Sequence, residues 1–382
     1  MYKFSKISVD AFATVLILSS VSCLGLLAFG AAPARAQEDH HNGAFHAFGA
    51  QGALFASQAT ADAITGNTQS TVDTYQYGLQ RGNPAAGRPL AFAPDQKSHG
   101  QSEAFNAFAQ KGLVTKAAPM QPTYPTYNVG VWGMGFYDAE RRSGNFDERF
   151  RTLGGLGGVD VLKKNFTSAS DSLLIGIIGG VAETRVTNRD GSTTRVSAPG
   201  VGVYGAYING GFSIDGLFKA DFIGQDDEVA GVIGPRQHLN NYVVGGNVNY
   251  KMALANNWWW QPTIGVTHIA TVWGDDEKLA GFQDGSSTRV QGGVRFGTQT
   301  MWGTVRVQPT FGAFLFSDVE INGGNQLGAA PDLTAEGKVW GKGTAKLNFL
   351  VTDRFSFYVE GELRATSDIV GGAGRLGARV SF

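Results

Sequence analysis

Apolar and polar residues alternate along most of the chain, from Tyr127 to Phe382. Alternation with a period of two places apolar side chains on one face of a β-strand and polar side chains on the other. In the clearest segment, one face carries Phe212, Ile214, Gly216, Phe218, Ala220 and Phe222. The other face carries Ser213, Asp215, Lys219 and Asp221. Twelve such segments can be delimited between turn signals, so the pattern predicts an all-β region over residues 127–382.

The connections between these segments alternate in length. Short turns at 209–211, 255–257 and 352–354 lie between longer loops such as 225–238 and 317–331. A soluble sandwich also has strands with one buried and one wet face, so alternation alone does not decide the architecture. An even strand number, alternating connections and a preceding export signal together favour a 12-stranded antiparallel transmembrane outer-membrane β-barrel, apolar outside and polar inside.

Aromatic residues cluster at the ends of the predicted strands. One set follows the short turns and comprises Phe212, Trp258, Trp260, Trp302 and Phe355. A second set lies at the far ends of odd-numbered segments and comprises Tyr137, Phe222, Trp273 and Phe316. Aromatic residues are common in strands generally. Their clustering at both ends nevertheless favours two aromatic girdles, one at each membrane interface.

The first 36 residues resemble an export signal. Lys3 and Lys6 precede an uncharged stretch over 11–32, and Ala34 and Ala36 supply small residues for a cleavage site. This pattern predicts Sec-dependent export and a mature chain that begins at Gln37. The alternative is an uncleaved membrane anchor, because the uncharged stretch is long enough to span a bilayer.

The single cysteine, Cys23, lies inside this predicted signal, so the mature chain is expected to contain no disulfide and no thiolate metal site. The whole chain has a formal net charge of −1. Such a balance does not point to nucleic acid as a partner.

Residues 37–126 lack sustained strand alternation and are rich in Ala, Gln, Gly and Thr. A sequence at 44–51 recurs loosely at 104–110, and each copy could form a short helix with Phe on one side. Pro122 and Pro125 exclude a helix over 121–126. We predict a short passenger, linker or plug segment that is mostly irregular and partly helical, with a helix at about 103–113 able to plug the lumen.

Motifs for catalysis or cofactor binding are weak. Residues Gly200–Gly205 match G-x-G-x-x-G, but that motif requires a following helix, and here it lies inside an alternating strand. His238 ends a predicted loop, and His268 falls on the predicted lipid-facing side, with no nucleophile at a suitable spacing around either. The acidic runs at 225–228 and 274–277 lack calcium-loop spacing and are interpreted as solvated loop charges. We predict no catalytic residue, cofactor or metal.

Charged residues follow the predicted lumenal side of the strands: Lys219, Asp221, Arg289, Arg295, Arg306, Lys338, Lys342, Lys346, Glu360 and Glu362. One interpretation is a pore with anion preference or a wall that steers a passing polypeptide. The interpretation we favour is neutralisation, in which Glu360 and Glu362 pair with Lys or Arg on adjacent strands.

Several short motifs resemble the translocator domain of the autotransporter (type V secretion) family. They are Val131-Trp132-Gly133-Met134-Gly135, Leu156-Gly157-Gly158-Val159-Asp160, Trp260-Gln261-Pro262-Thr263-Ile264-Gly265, Val290-Gln291-Gly292-Gly293-Val294-Arg295 and Val307-Gln308-Pro309-Thr310-Phe311-Gly312. The resemblance covers Tyr127 to Phe382 and implies a barrel in the outer membrane of a Gram-negative bacterium that helps an N-terminal passenger reach the cell surface.

The resemblance also implies partners. Such barrels are inserted with the help of periplasmic chaperones and the barrel-assembly machinery, which reads a terminal strand ending in an aromatic residue. In this chain the corresponding residues are Leu376, Ala378, Val380 and Phe382, all on the lipid-facing side. Outer-membrane lipid surrounds the barrel, and extracellular loops or the N-terminal segment are candidates for binding surface ligands.

Three functions are compatible with the sequence. The first is an autotransporter-type barrel that translocates or anchors a short N-terminal segment at the cell surface. The second is a small passive outer-membrane channel that this segment gates. The third is a membrane-embedded hydrolase, for which His238 and His268 would be the candidate histidines.

Overall fold

The computed structural model describes residues 49–82, 127–143, 147–168, 170–229, 231–322 and 338–382. In these residues one antiparallel sheet closes into a barrel, and a long helix lies in its lumen. The predicted signal, its cleavage site at Ala34, Ala36 and Gln37, and the predicted helix at 103–113 all lie outside the described residues.

The barrel consists of twelve long strands. Their bounds are β1 Tyr127–Arg142, β2 Glu148–Lys164, β3 Asp171–Thr187, β4 Thr193–Asn209, β5 Phe212–Val229, β6 Gln237–Tyr250, β7 Trp259–Trp273, β8 Gly285–Gly297, β9 Val305–Asn322, β10 Val339–Leu350, β11 Phe355–Ala365 and β12 Ile369–Ser381. The lumenal helix, α1, spans Gly49–Gly82. Short strands at Val232–Ile233, Met252–Ala253 and Thr300–Trp302, a 3-10 turn at Ala255–Asn257 and a helix at Asp275–Leu279 lie in the connections.

Each strand pairs with its neighbours in sequence, and β12 pairs with β1 to close the barrel. The closing register runs from Gly130 opposite Ser381 to Arg142 opposite Ile369. Beyond β12, Phe382 donates its backbone N–H to the Val129 carbonyl at 2.8 Å. Closure leaves no unpaired sheet edge, which is what a strand protein needs in a hydrocarbon environment. The predicted 12-stranded barrel is therefore confirmed.

The two ends of the barrel need separate names. We call the end where β1 begins the turn end, because the two-residue turn at Gly210 and Gly211 lies there. The opposite end, reached by β1 at Arg142, carries the long connections 274–284 and 323–338 and is called the loop end. Odd-numbered strands run toward the loop end, and even-numbered strands return.

Two strands extend further toward the loop end than the sequence predicted. β5 continues to Val229 and β9 to Asn322, so both predicted loops begin later. Asp227 consequently lies in a strand, is buried, and accepts a 2.6 Å hydrogen bond from the Thr194 hydroxyl. The interpretation of residues 225–228 as solvated loop charges is therefore wrong for Asp227, because the inward-facing parity of β5 continues past the predicted strand end.

Glycines on the inner wall make room for large side chains of neighbouring strands. A Cβ at Gly158 would lie 2.6 Å from the Trp132 ring, and one at Gly176 would lie 2.5 Å from the Tyr204 ring. Both distances are too short for real side chains, so the aromatic rings require glycine beside them. This pairing is one physical reason for the 54 glycines in the chain.

The helix α1 is the largest departure from the predicted elements. At 34 residues it is about 51 Å long, given a rise of about 1.5 Å per residue. It packs on the inner face of β2 to β7, where its alanines meet buried residues such as Leu174, Ile208 and Val243. Neither of the two α-helices in the described ranges is long and apolar enough to cross a membrane.

Candidate functional site

The direction of α1 in the lumen is set by polar contacts at both of its ends. Near the loop end, Arg142 on β1 donates a 3.3 Å hydrogen bond to the Gln51 side-chain oxygen. Near the turn end, the Gln76 amide donates to the carbonyls of Gly210 and Gly211, each at 3.3 Å. The N-terminus of α1 therefore lies at the loop end and its C-terminus at the turn end.

A buried polar cluster holds the first half of α1. The Ser57 hydroxyl donates to Asp221 at 2.8 Å, and Asn241 donates to the Ser57 hydroxyl at 2.9 Å. Lys219 contacts the Thr60 hydroxyl and forms a 2.6 Å ion pair with Asp221. All five side chains are buried, so each hydrogen bond satisfies a group that would be costly to leave unpaired. Lys219 and Asp221, predicted to line the lumen, thus lie there and bind the helix.

A second buried cluster holds the C-terminal half of α1. Asp73 forms ion pairs with Arg295 on β8 at 2.6 Å and with Lys251 at 3.5 Å. Arg295 also donates to the Gln69 side-chain oxygen at 3.1 Å, and Gln69 in turn donates to Asp215 on β5. Asp73 therefore places a negative charge between two cations of the barrel wall.

Single hydrogen bonds complete the attachment near the turn end. Tyr75 donates to Asn128 at 2.9 Å, and Asn348 donates to the Thr74 hydroxyl at 3.2 Å. Lys346, another predicted lumenal charge, donates to the backbone carbonyl of Gly66 at 2.7 Å. Lys346 thereby contacts α1 from β10, on the wall opposite β4.

Small side chains allow α1 to approach the wall closely. Ala53 and Ala56 are completely buried against Val196 and Ala198 of β4 and Ile223 of β5. A larger residue here would have to displace either the helix or the strands, since packed interiors tolerate little added volume. The apolar core of the protein therefore lies between α1 and one side of the barrel.

One stripe of α1 is less buried than the rest. Its members share helical spacing and intermediate exposure, and they are Gln51, Leu54, Gln58, Asp62 and Thr65. Positions between them, such as Ala56 and Ala63, are fully buried. The stripe lies in the half of the helix near the loop end, where the lumen is therefore not completely filled.

Ion pairs occupy the other side of the lumen, along β8 to β12 and β1. Arg289 binds Asp318 through two hydrogen bonds, at 2.6 and 3.0 Å. Arg375 binds Glu360 at 2.6 Å and Glu362 at 3.0 Å, and Lys346 pairs with Glu360 at 3.2 Å. Glu360 and Glu362 are thus paired with cations of adjacent strands.

A further hub is Arg364 on β11. It contacts Asp138, Glu140 and Glu362, with a 3.0 Å distance to each of the two glutamates. All four side chains are buried. Buried charges persist only when they are paired and hydrogen-bonded, and this arginine satisfies three carboxylates at once.

Two residues of the sequence motifs meet at the seam where β12 joins β1. The Trp132 indole donates to the Tyr204 hydroxyl at 2.7 Å, and that hydroxyl donates to Asp160 at 2.5 Å. Arg379 on β12 donates to the same carboxylate at 2.6 Å. Asp160 therefore joins four strands, β1, β2, β4 and β12, through side chains alone.

Most predicted girdle residues face outward. The structure leaves Phe212, Trp258, Trp302, Phe355, Tyr137 and Phe222 exposed on the outside or in the turns, and Trp260 half-buried. Trp273 and Phe316 do not belong to a girdle, because both lie on the inward parity and are only 2% and 3% exposed. Trp273 packs on Phe282, and Phe316 packs on Trp340.

The remaining predicted lumenal charges lie at different heights. Arg306 lies on the inward parity of β9 near the turn end. Lys342 on β10 donates to Gln291 at 2.9 Å. Lys338 precedes β10 at the loop-end rim and does not line the wall, because it extends to Asp368 at 2.7 Å instead. This hydrogen bond lowers the pKa of Asp368 below its usual value.

The predicted assembly residues all lie on the outer surface of β12 or directly after it. Leu376, Val380 and Phe382 are 58%, 38% and 69% exposed, and Ala378 between them is also exposed. Arg375 and Arg379 point to the other side, into the lumen. The outer surface of this strand is therefore continuous and apolar.

The two histidines of the barrel lie apart, near the loop end. His238 is exposed and 3.7 Å from Glu277. His268 hydrogen-bonds the Thr288 hydroxyl through Nδ1 at 2.8 Å, and Thr288 in turn donates to Glu320 at 3.3 Å. In this chain of contacts the hydroxyl lies between the imidazole and the carboxylate, whereas a catalytic triad has the imidazole between the other two groups.

Sequence reasoning missed the residues of α1 that bind the wall, among them Ser57, Gln69 and Asp73. It also missed the inward acids Asp138 and Glu140. The parity of β1 could have identified these two acids, since they continue the inward series that begins with Trp132. Across the ranges the structure describes, histidine, cysteine and carboxylate side chains do not gather into a group that could hold a metal ion.

Comparisons with known proteins agree with this architecture. A family model described as the autotransporter β-domain matches residues 131–362. The β-domain of the Bordetella autotransporter BrkA is similar in structure, with a TM-score of 0.53 and 17% identity over 66% of this chain and 98% of that one. A search of curated proteins finds no match.

Two further solved structures are similar over a larger part of this chain. The transport unit of the autotransporter AIDA-I from Escherichia coli has 14% identity and a TM-score of 0.46, covering 74% of this chain and 98% of that one. The translocator domain of the autotransporter NalP from Neisseria meningitidis has 9% identity and a TM-score of 0.47, covering 74% and 96%. Because the family model matches more than half of the chain, this protein belongs to the autotransporter β-domain family. It is a translocator barrel of the Gram-negative outer membrane.

Proposed function

We propose that this barrel displays the chain segment preceding Gly49 at the cell surface and keeps α1 in the lumen as its anchor. The direction of α1 is the observation that carries this proposal. Gly49, at the N-terminus of α1, lies at the loop end, and Gly82, at its C-terminus, lies at the turn end, where β1 also begins.

The proposal requires the loop end to be extracellular and the turn end periplasmic. The long connections at the loop end support this orientation, since outer-membrane barrels have short periplasmic turns and longer extracellular loops. Export through the Sec pathway is supported by the signal-like residues 1–36. If the signal is cleaved after Ala36, the displayed segment begins at Gln37.

Two epitope tags test this function in intact cells. One is inserted at residue 42, before α1, and the matched control is inserted after Gly82, beyond its other end. Antibody should label the first tag on intact cells and the second only after the outer membrane is opened. A tag inside α1 would be uninformative, because residues such as Thr60 are buried in the lumen.

Labelling of both tags only in opened cells would contradict surface display. Labelling of the second tag alone on intact cells would show that the barrel has the opposite orientation. Unheated samples in gels show whether each tagged barrel is folded. A tag that prevents folding would be inserted again several residues away.

Two classes of partner follow from this role. The apolar outer surface of β12, ending in Phe382, fits recognition by the barrel-assembly machinery after delivery by periplasmic chaperones. The loop-end connections and the displayed segment are the surfaces that a ligand at the cell surface would meet. Outer-membrane lipid covers the remainder of the outer wall.

We propose transport and anchoring as the role of this barrel, not catalysis. Neither His268 nor His238 lies between a hydroxyl and a carboxylate, as the imidazole of a catalytic triad does. A passive channel receives less support, because α1 occupies the lumen and polar contacts bind it to the barrel wall from Gln51 to Gln76.

A further inference from the structure

Three arginines lie side by side on the outer surface of the barrel, near the loop end. Arg151 on β2 is directly opposite Arg185 on β3, and Arg185 is directly opposite Arg195 on β4. All three side chains are exposed. Like charges placed directly across a strand pair are destabilising, so a bound anion would stabilise an arrangement of this kind. We call these residues the arginine row.

The protein compensates the row at one edge only. There, Arg195 lies directly opposite Asp226 and is 3.5 Å from Glu228. In the ranges that the structure describes, neither an ion pair nor a hydrogen bond is recorded for the side chain of Arg151 or Arg185. Glu183 lies on the same outer face two positions from Arg185, but it is opposite Leu153 and not opposite an arginine.

A second pair of arginines extends the positive surface toward the loop end. Arg141 on β1 lies directly opposite Arg149 on β2. Arg141 pairs with Asp147 at 3.1 Å, which leaves Arg149 without a recorded ion pair among the described residues. The unpaired charge is therefore concentrated on β2 and β3.

The height of the row places it at the edge of the membrane. On β2 the outward positions from Leu153 to Val161 are all apolar or glycine, and this stretch covers nine residues. A tilted strand needs about that length, 9–11 residues, to cross the hydrocarbon region. Arg151 is the next outward residue beyond Leu153, so its guanidinium lies at the level of the lipid headgroups.

A depression opens beside the row on the membrane side. It has a volume of about 260 Å³. Ser197, Pro199 and Phe222 line its membrane side, and Arg236 and His238 line its loop-end side. The register between β4 and β5 is interrupted from Ser197 to Gly200, where Pro199 has no N–H to donate. The depression lies two residues below Arg195 along β4, so one ligand could contact both features.

We propose that this surface binds a phosphorylated glycolipid of the outer leaflet, with its headgroup phosphates on the arginine row. Arginine is suited to this task because its planar guanidinium binds phosphate through two parallel hydrogen bonds. An acyl chain of the same lipid occupies the depression beside Pro199 and Phe222. The assignment to the outer leaflet rests on the proposed extracellular position of the loop end.

The test measures binding of diphosphoryl lipid A to the folded full-length protein in detergent by native mass spectrometry. The test variant carries R151Q, R185Q and R195Q. The matched control carries K163Q, K164Q and R354Q, which remove the same number of positive charges at the turn end. A third variant with R151K, R185K and R195K keeps the positive charges but lacks the planar guanidinium groups. Unheated gel migration verifies that every variant is folded.

The row variant should bind diphosphoryl lipid A about 100-fold more weakly, since each basic residue at a lipid surface contributes about 1 kcal/mol. The turn-end control should bind as the wild type does, and the lysine variant should fall between the two. Lipid A without phosphates should bind the wild type as weakly as diphosphoryl lipid A binds the row variant.

Equal binding by the row variant and the wild type would overturn the proposal, as would equal binding of the dephosphorylated lipid. Displacement of the lipid by an equal concentration of inorganic phosphate would show a site for free phosphate and would also overturn it. Binding in detergent does not depend on orientation, whereas the tag experiment does not depend on these arginines. The two proposals can therefore fail separately.

Discussion

At the scale of single residues, the lumen is organised around a few basic side chains that each serve several partners. Arg364 neutralises carboxylates on β1 and on its own strand, whereas Arg295 binds both the wall and α1. Removing one member of a buried ion pair costs far more than the pair contributes, because the remaining charge stays buried without compensation. The residues that join α1 to the wall should therefore be sensitive to single substitutions.

Asp73→Asn tests this sensitivity. The substitution leaves Arg295 and Lys251 facing a neutral amide, and breaking a buried pair of this kind costs about 3 kcal/mol. We expect hydrogen exchange of the α1 amides near Asp73 to become about 100-fold faster, which corresponds to that free energy. Hydrogen–deuterium exchange of the folded barrel measures the change peptide by peptide.

The matched control for this experiment is Asp62→Asn. Asp62 is the other acid of the described part of α1; it is half-buried and accepts a 3.2 Å hydrogen bond from Gln58 on the same helix. Its substitution should change exchange little. If both variants exchange alike, the charge on Asp73 does not hold the helix in place.

At the scale of elements, strand alternation predicted β1 to β12 because each strand separates a polar lumen from an apolar exterior. The same reasoning failed for α1, since its surroundings are mixed: alanines face one wall, and Asp73 and Gln69 face cations and amides of the barrel. A helix in such a place needs no continuous apolar stripe. Its sequence therefore looks like that of an irregular segment.

Parity also explains the two girdle errors. Trp273 and Phe316 were assigned by their position at strand ends, where exposed aromatics are expected. Counting in steps of two from buried Thr271 leads to Trp273, and counting from buried Thr310 leads to Phe316. Both residues therefore lie inside the barrel. The pairing of Glu360 and Glu362 with cations of adjacent strands was predicted from parity and strand order. The contacts with α1 could not be predicted, because they depend on the placement of the helix in the lumen.

Phe382→Ala tests the role of the strand that closes the barrel. The substitution keeps both backbone hydrogen bonds between residue 382 and Val129 but removes an exposed aromatic ring. We expect a severalfold lower yield of inserted protein in cells, whereas the thermal midpoint of the purified barrel should shift by no more than about 2 °C. Gel migration of unheated samples reports the yield of inserted protein, and gel migration after heating to a series of temperatures reports the thermal midpoint.

Phe355→Ala is the control, since Phe355 is an exposed ring at the same end that lies on β11, on the side of β12 that does not form the seam. It should insert at nearly the wild-type level. Normal insertion of the Phe382 variant would show that the ring is only a membrane contact. A large loss of thermal stability would assign it to closure of the barrel instead.

At the scale of the whole molecule, the lumen has two unlike sides. One side is apolar and small enough to pack against α1, and the other carries paired charges on β8 to β12. The helix is thus part of the core and not a loose insert. Under the proposed display function, α1 is the part of the N-terminal segment that stays in the lumen as a structural element of the barrel.

Removal of residues 49–82 should turn the sealed barrel into an anion-preferring pore. Without α1, Lys251 and Arg295 lose Asp73 and face the open lumen, whereas Glu360 and Glu362 keep Arg375 as a partner. Planar bilayers should show a higher conductance for the deletion than for the full chain. Under a KCl gradient, the reversal potential of the deletion variant should indicate a preference for chloride.

The same deletion with Lys251→Gln and Arg295→Gln isolates the source of that preference. Because these are the two cations that Asp73 neutralises in the intact protein, their removal should abolish most of the chloride selectivity while the conductance stays high. An unchanged preference would place the selectivity elsewhere on the wall, and a cation-selective pore would contradict the proposed charge balance. A folded deletion variant with no conductance at all would show that the wall itself closes the lumen, and α1 would then be an anchor without being a seal.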